Sequence, residues 1–183
     1  MLRFTSDEYD KKSPFKTIVA TGLLAGTLDG IAAILNYTIN GGRLPSRIFQ
    51  YIASGAVGTQ AFTGGTGMVI LGIILHYTIA FAFTLFFFLI YPRINILSKN
   101  KIITAIVYGI FVWLIMNLIV VPMSHVPPSP FNIKQALIGA VILMLAIGLP
   151  VSFVIGRYYQ QEIDVPNNGS PVIKNPQTHK SAD

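Results

Sequence analysis

TIVATGLLAGTLDGIAAILNY, residues 17–37, is long and apolar enough to cross a bilayer, yet it holds a carboxylate, Asp29, near its middle. On a helix, Gly22, Ala25, Gly26, Asp29, Ala33 and Asn36 share one face, and Leu24, Leu28, Ile31 and Leu35 share the other. A carboxylate set against acyl chains is costly, so the small-residue face must turn toward protein or water. Gly22, Gly26 and Gly30 form two overlapping GxxxG steps, which predict the close approach of a second helix. This stretch decides the fold: a membrane bundle built around a helix whose polar side looks inward.

Composition agrees. Of 183 residues, 52% are hydrophobic and 11% charged, with a mean hydropathy of +0.61, whereas soluble domains carry roughly 25% charged residues. The net charge of +6 does not point to nucleic acid, because the basic residues sit between apolar spans rather than clustering on a folded face. The lipid bilayer is the expected partner, and no nucleic acid is. The chain has no cysteine, which excludes disulfides, thiolate metal ligands, a Cys nucleophile and a lipoprotein anchor.

Outward from residues 17–37, the N-terminal segment 1–16 sets Arg3, Lys11, Lys12 and Lys16 against Asp7, Glu8 and Asp10. A cleavable signal peptide would have an apolar core of only about 7–15 residues ending in a small-x-small site. The run here is longer and its lead-in acidic, so a retained first span is expected. After Asn40-Gly41-Gly42, residues 45–57 repeat Ile48, Tyr51, Ile52 and Ala56 at helical spacing beside polar Arg47, Gln50 and Ser54. Too short to cross, this amphipathic helix should lie in the interface or dip into the mouth of the bundle. Thr63-Gly64-Gly65-Thr66-Gly67 reads as a hinge; no strand precedes it and no Lys follows, which excludes a phosphate loop.

A second span, 68–91, holds His76 between Gly72 and Ala80, ends in a run of phenylalanines and closes at Pro92. The phenylalanines read as a lipid-facing and packing surface. A third, 102–121, carries Trp113 and Asn117 and is expected to stop at Pro122. Trp113 reads as an ordinary buried or interfacial aromatic. Pro127, Pro128 and Pro130 then prevent helix continuation. A fourth, 135–158, holds Gly139, Gly148 and Pro150, which should kink it and free the Ala146 carbonyl. Residues 159–183 are polar and Pro-containing, with the composition of a disordered tail. The N-terminal segment, second connection and tail, together with Arg157 at the end of the fourth span, carry ten Lys and Arg, against three (Arg43, Arg47, Lys134) in the first and third connections. Four spans with that bias put both termini in the cytoplasm.

Topology brings scattered polar residues to one level. Asp29 lies eight residues before the outer end of span one, and His76 eight past the outer start of span two. Both therefore sit roughly 12 Å below the outer edge. Asn117 lies in the outer quarter of span three, and His125 in the loop above it. Asp29 and His76 read either as a proton-exchanging pair or small-ligand site, or as polar glue that fixes helix register at about 0.6–2 kcal/mol per bond. For Asn117 the glue reading is the better one. Bis-His haem needs two imidazoles at one depth, which His76 and His125 do not offer, and no metal site or other cofactor is expected. Ser46 and Ser54 have no base nearby on their segment, so a serine nucleophile is unsupported.

GLLAGTLDGIAA (22–33), RIFQYIASGAVGTQAFTGG (47–65), LGIILHYTIAF (71–81), YGIFVWLIMNLIVVPMS (108–124) and GLPVSF (148–153) cover most of the chain outside its termini. In this order they resemble a widespread group of small bacterial inner-membrane proteins with four helices. That group has no assigned activity, so the resemblance implies topology and a bacterial cytoplasmic membrane and transfers no functional residue.

The expected fold is all-α: four transmembrane helices plus a short interfacial amphipathic helix. Two functions fit the residues. The leading one is a non-enzymatic accessory or structural membrane subunit that packs on itself or on a larger membrane complex through Gly22, Gly26 and Gly30. The other is a small proton-coupled transporter or permeation unit using Asp29 and His76. Its thin scaffold would call for oligomerisation, and the chain has no internal repeat of the alternating-access kind. A membrane enzyme using Asp29, His76 and His125 for acid/base work ranks third, because the three lack a recognisable spacing.

Overall fold

The computed structural model describes residues 13–163 other than 129 and 131. The expectations for residues 1–12 and 164–183 lie outside the described residues. Four helices are long and apolar enough to cross a membrane: Pro14–Ile39, Gly65–Arg93, Lys101–Met123 and Ile133–Gln161. The chain is a multi-pass membrane protein.

Local chemistry sets the helix ends. Pro14 opens the first span at a position where its missing N–H costs nothing, and the chain leaves that span through Gly41 at φ 88°. The side chain of Asn100 accepts the N–H groups of Ile102 and Ile103 at 3.0 and 3.1 Å, capping the third span. Asn132 does the same for Gln135 at 3.2 Å in the fourth. The helix predicted to end at 158 runs on to Ile163. Its added turn keeps intrahelical hydrogen bonds, and Lys101 donates to Gln160 across the bundle at 2.8 Å.

The spans form a ring in chain order. The first packs on the second and the fourth, and the third packs on the fourth. The ring closes through aromatic contacts: Phe86 stacks on Phe111 with centroids 5.4 Å apart, and the Tyr108 hydroxyl donates to the Phe83 carbonyl at 2.6 Å. Leu24, Leu28, Ile31 and Leu35 of the first span are exposed to the lipid side, while Gly22, Ala25, Gly26 and Gly30 are buried. The phenylalanine run divides accordingly, Phe87 and Phe88 inward and Phe86 outward. Lipid tails are as apolar as these side chains, so dispersion and close backbone approach hold the bundle rather than the hydrophobic effect. A methyl at Gly148 would strike the Ala105 carbonyl, and one at Gly109 would strike the backbone of Met144. The third and fourth spans therefore cross nearly in backbone contact.

The third span does not stop at Pro122 but continues to Met123. A π turn, Met116–Val120, precedes the proline, and the Val121 N–H reaches back five residues to the Met116 carbonyl. The fourth span repeats the device: a π turn at Met144–Gly148, the Leu149 N–H on the Met144 carbonyl, then Pro150. A proline ring collides with the carbonyl four residues back. Widening the turn ahead of it moves that carbonyl aside, so the helix survives.

The helix at Ser46–Val57 dips into the mouth of the bundle as a cap on the second span. It buries Gln50, Ala53 and Ser54, whereas Tyr51 and Ala56 of its apolar set are exposed. Small side chains win that face because Gly72 lies directly under the Phe49 carbonyl and leaves no depth for larger ones. The expected hinge at 63–67 is shorter: a 3-10 turn, Gly58–Phe62, leads within two residues into the second span at Gly65, φ 61°.

Candidate functional site

The two halves of the bundle differ. Toward the chain termini, Phe87, Tyr108, Val112, Val151 and Ile155 fill the interior. Toward the cap helix the spans enclose a cavity of about 990 Å³ to which all four contribute. It reaches from Asp29 and His76 up to Asn40, Asn132, Pro127 and Pro128. Among the described residues no Lys or Arg lines it, and its ionisable side chains are Asp29, His76, Tyr37 and Tyr51. Half-burial pushes the Tyr51 phenol above its ordinary value, so it enters the cavity as a neutral hydroxyl.

His76 is buried, and its Nε2 lies 2.8 Å from the carbonyl oxygen of Gly26. A carbonyl only accepts, so Nε2 carries the hydrogen and Nδ1 is the nitrogen left to exchange a proton. The glycine face builds this seat. Gly22 lies against Phe81, and Gly26 against Tyr77 and Ala80; a Cβ at Gly30 would come within 3.3 Å of His76 Nε2. The helix that the GxxxG steps receive is thus the chain's own second span. Edge-on rings of Phe49 and Tyr77 complete the cage, with centroids 6.3 and 5.5 Å from the imidazole.

Asp29 is half-buried, lines the cavity beside Gly30 and interacts electrostatically with His76. Among the described residues it accepts no hydrogen bond. Asp29 is thus part of the cavity wall.

The other expected residues fare differently. Asn117 lines the cavity but is exposed, and its Nδ2 donates to the Trp113 carbonyl at 2.9 Å, within its own helix. Among the described residues it makes no hydrogen bond to another helix. His125 is exposed outside the cavity lining, where its backbone N–H pins the loop to the Gly55 carbonyl at 3.0 Å. His125 thus does not join Asp29 and His76 in lining the cavity.

Sequence reasoning missed an amide cluster at the rim. Asn36 donates to Gln135 at 3.3 Å, Gln135 donates to Asn40 at 2.8 Å, and Asn40 returns to Asn36 at 3.1 Å. This closed ring ties the first span to the fourth. The i, i+4 spacing of Asn36 and Asn40 was visible in the chain, but Gln135 lies 99 residues from Asn36. Trp113, read as an ordinary aromatic, also lines the cavity, with Tyr37, Phe49 and Phe83. Compared with known proteins, the chain matches no family model, no curated protein and no solved structure.

Proposed function

We propose that the protein is a small proton-coupled transporter or permeation unit of a bacterial cytoplasmic membrane, with both termini in the cytoplasm and its cavity opening outward. The observation that carries this reading is a carboxylate within an apolar span, without a hydrogen-bond partner among the described residues, in the wall of a cavity that no described Lys or Arg lines. Such a carboxylate is stable when protonated or when it faces a cation. Arrival of a small organic cation therefore releases the Asp29 proton, which Nδ1 of His76 can take up while Nε2 stays on Gly26. Aromatic walls from Trp113, Phe49 and Tyr37 suit a cation, since ring faces attract positive charge.

The accessory-subunit reading relied on the face of Gly22, Gly26 and Gly30, and the second span occupies that face within the chain. The test is flux. Proteoliposomes holding a pH-sensitive dye are challenged with a series of alkylammonium ions at fixed membrane potential. Solute-dependent proton movement, abolished by Asp29→Asn without loss of folded protein, supports the proposal. Identical traces from the wild-type protein, the variant and empty liposomes overturn it.

A further inference from the structure

The end of the bundle opposite the cap helix holds a second cavity of about 850 Å³, between the first, third and fourth spans. Lys16, Lys101 and Arg157 line it, and among the described residues no carboxylate does. Lys101 donates to the neutral Gln160 and to no carboxylate among the described residues. Lys16 and Arg157 make no hydrogen bond or ion pair with a described residue. The first and third spans both begin here, at Pro14 and Lys101, without an acidic residue in either first turn. Two positive helix ends thus add to the three cations.

The apolar part of the wall lies one turn deeper on each flanking helix. Ala20 follows Lys16 by four residues, and Phe153 precedes Arg157 by four, so each pair shares a helix face. Phe153 is itself exposed toward lipid. Charge at the helix ends and apolar surface a turn inward matches an ionic headgroup with its acyl chains.

We propose that this cavity binds the phosphodiester headgroup of an anionic membrane lipid, with Lys16, Lys101 and Arg157 around the phosphate and Phe153 against the chain. Topology alone accounts for basic residues on this side of the membrane. It does not account for their convergence around one cleft with no counter-charge among its described lining residues. A free phosphate shares the headgroup chemistry but gains nothing from Phe153.

The experiment is native mass spectrometry of the full chain released from nanodiscs of mixed phosphatidylglycerol and phosphatidylcholine. The wild-type protein retains phosphatidylglycerol selectively. Lys16→Gln with Arg157→Gln lowers that selectivity roughly 10- to 30-fold, while Arg47→Gln at the opposite end leaves it unchanged. Lys16→Gln alone, at an exposed position, covers the case in which the double variant fails to fold. Phe153→Ala weakens retention of the lipid. Equal retention of both lipids, or selectivity that survives the charge removal, overturns the proposal. Displacement of the lipid by inorganic phosphate, together with indifference to Phe153→Ala, assigns the site to a soluble phosphate and overturns the lipid assignment.

Discussion

Nε2 of His76 sits 2.8 Å from the carbonyl oxygen of Gly26, and it gets there because residue 30, one turn further along, has no side chain. The relationship joins a packing motif to a titratable group. The glycines that let two helices approach also leave the imidazole one open nitrogen.

Enlarging residue 30 should therefore unseat the histidine. Gly30→Val places carbon within contact of Nε2 and is expected to cost about 1–3 kcal/mol by overpacking. His76→Gln, which removes the ring and its bond, is expected to cost about 0.6–2 kcal/mol. Thermal melting of the detergent-solubilised protein by size-exclusion recovery measures both. A fully stable Gly30→Val would mean that the seat is not tight.

Asp29→Asn keeps shape and loses charge. Since Asp29 accepts no hydrogen bond from a described residue, the melting temperature should hold within a few degrees. Trp113 is the only tryptophan and lines the same cavity. Alkylammonium ions that change its fluorescence in the wild-type protein should leave the Asn variant unaffected. A ligand response that persists without the charge would remove Asp29 from the site.

Gly72 is where the cap helix meets the second span, and any Cβ there collides with the Phe49 carbonyl. Gly72→Leu should lift the cap while leaving the spans in place. The chain lacks cysteine, so Ala53→Cys provides a unique thiol at a fully buried position of the cap. Its reaction with a water-soluble maleimide should be slow alone and fast when combined with Gly72→Leu.

Two amide residues along the cavity should behave oppositely. Gln135→Ala opens the ring that ties the first span to the fourth and is expected to cost about 1 kcal/mol. Asn117→Ala removes only a bond within its own helix and should cost less than about 0.5 kcal/mol. Comparable losses at the two positions would show that Asn117 has a partner on another helix.

Much of the fold was legible because lipid imposes a simple rule on backbone and charge. The span around Asp29 announced its lipid face at Leu24 and Leu28 and its protein face at Gly22 and Gly26, and coordinates keep both. The depth of Asp29 and His76 followed from counting residues, and they do line one cavity. What escaped depends on geometry that no local window carries. Pro122 reads as a stop behind an α turn, whereas the π turn at Met116–Val120 removes the clash. Asn117 looked like glue because its own i−4 carbonyl, on Trp113, was not counted as a rival acceptor. Gln135 could not be matched to Asn36 without knowing the rotation of the fourth span.

Each π turn inserts one surplus residue into its helix, and a residue is worth about 100° of rotation. The surplus at Met144–Gly148 falls where the filled half of the bundle gives way to the hollow one. On either side of it the fourth span is phased separately: one stretch is set by the aromatic interlock, the other by the wall it presents to Asp29. Removing a single residue there would turn the upper stretch by more than a quarter of a circle and swing Gln135 and Gly139 away from the hollow. The chamber thus owes its lining to an insertion one residue long.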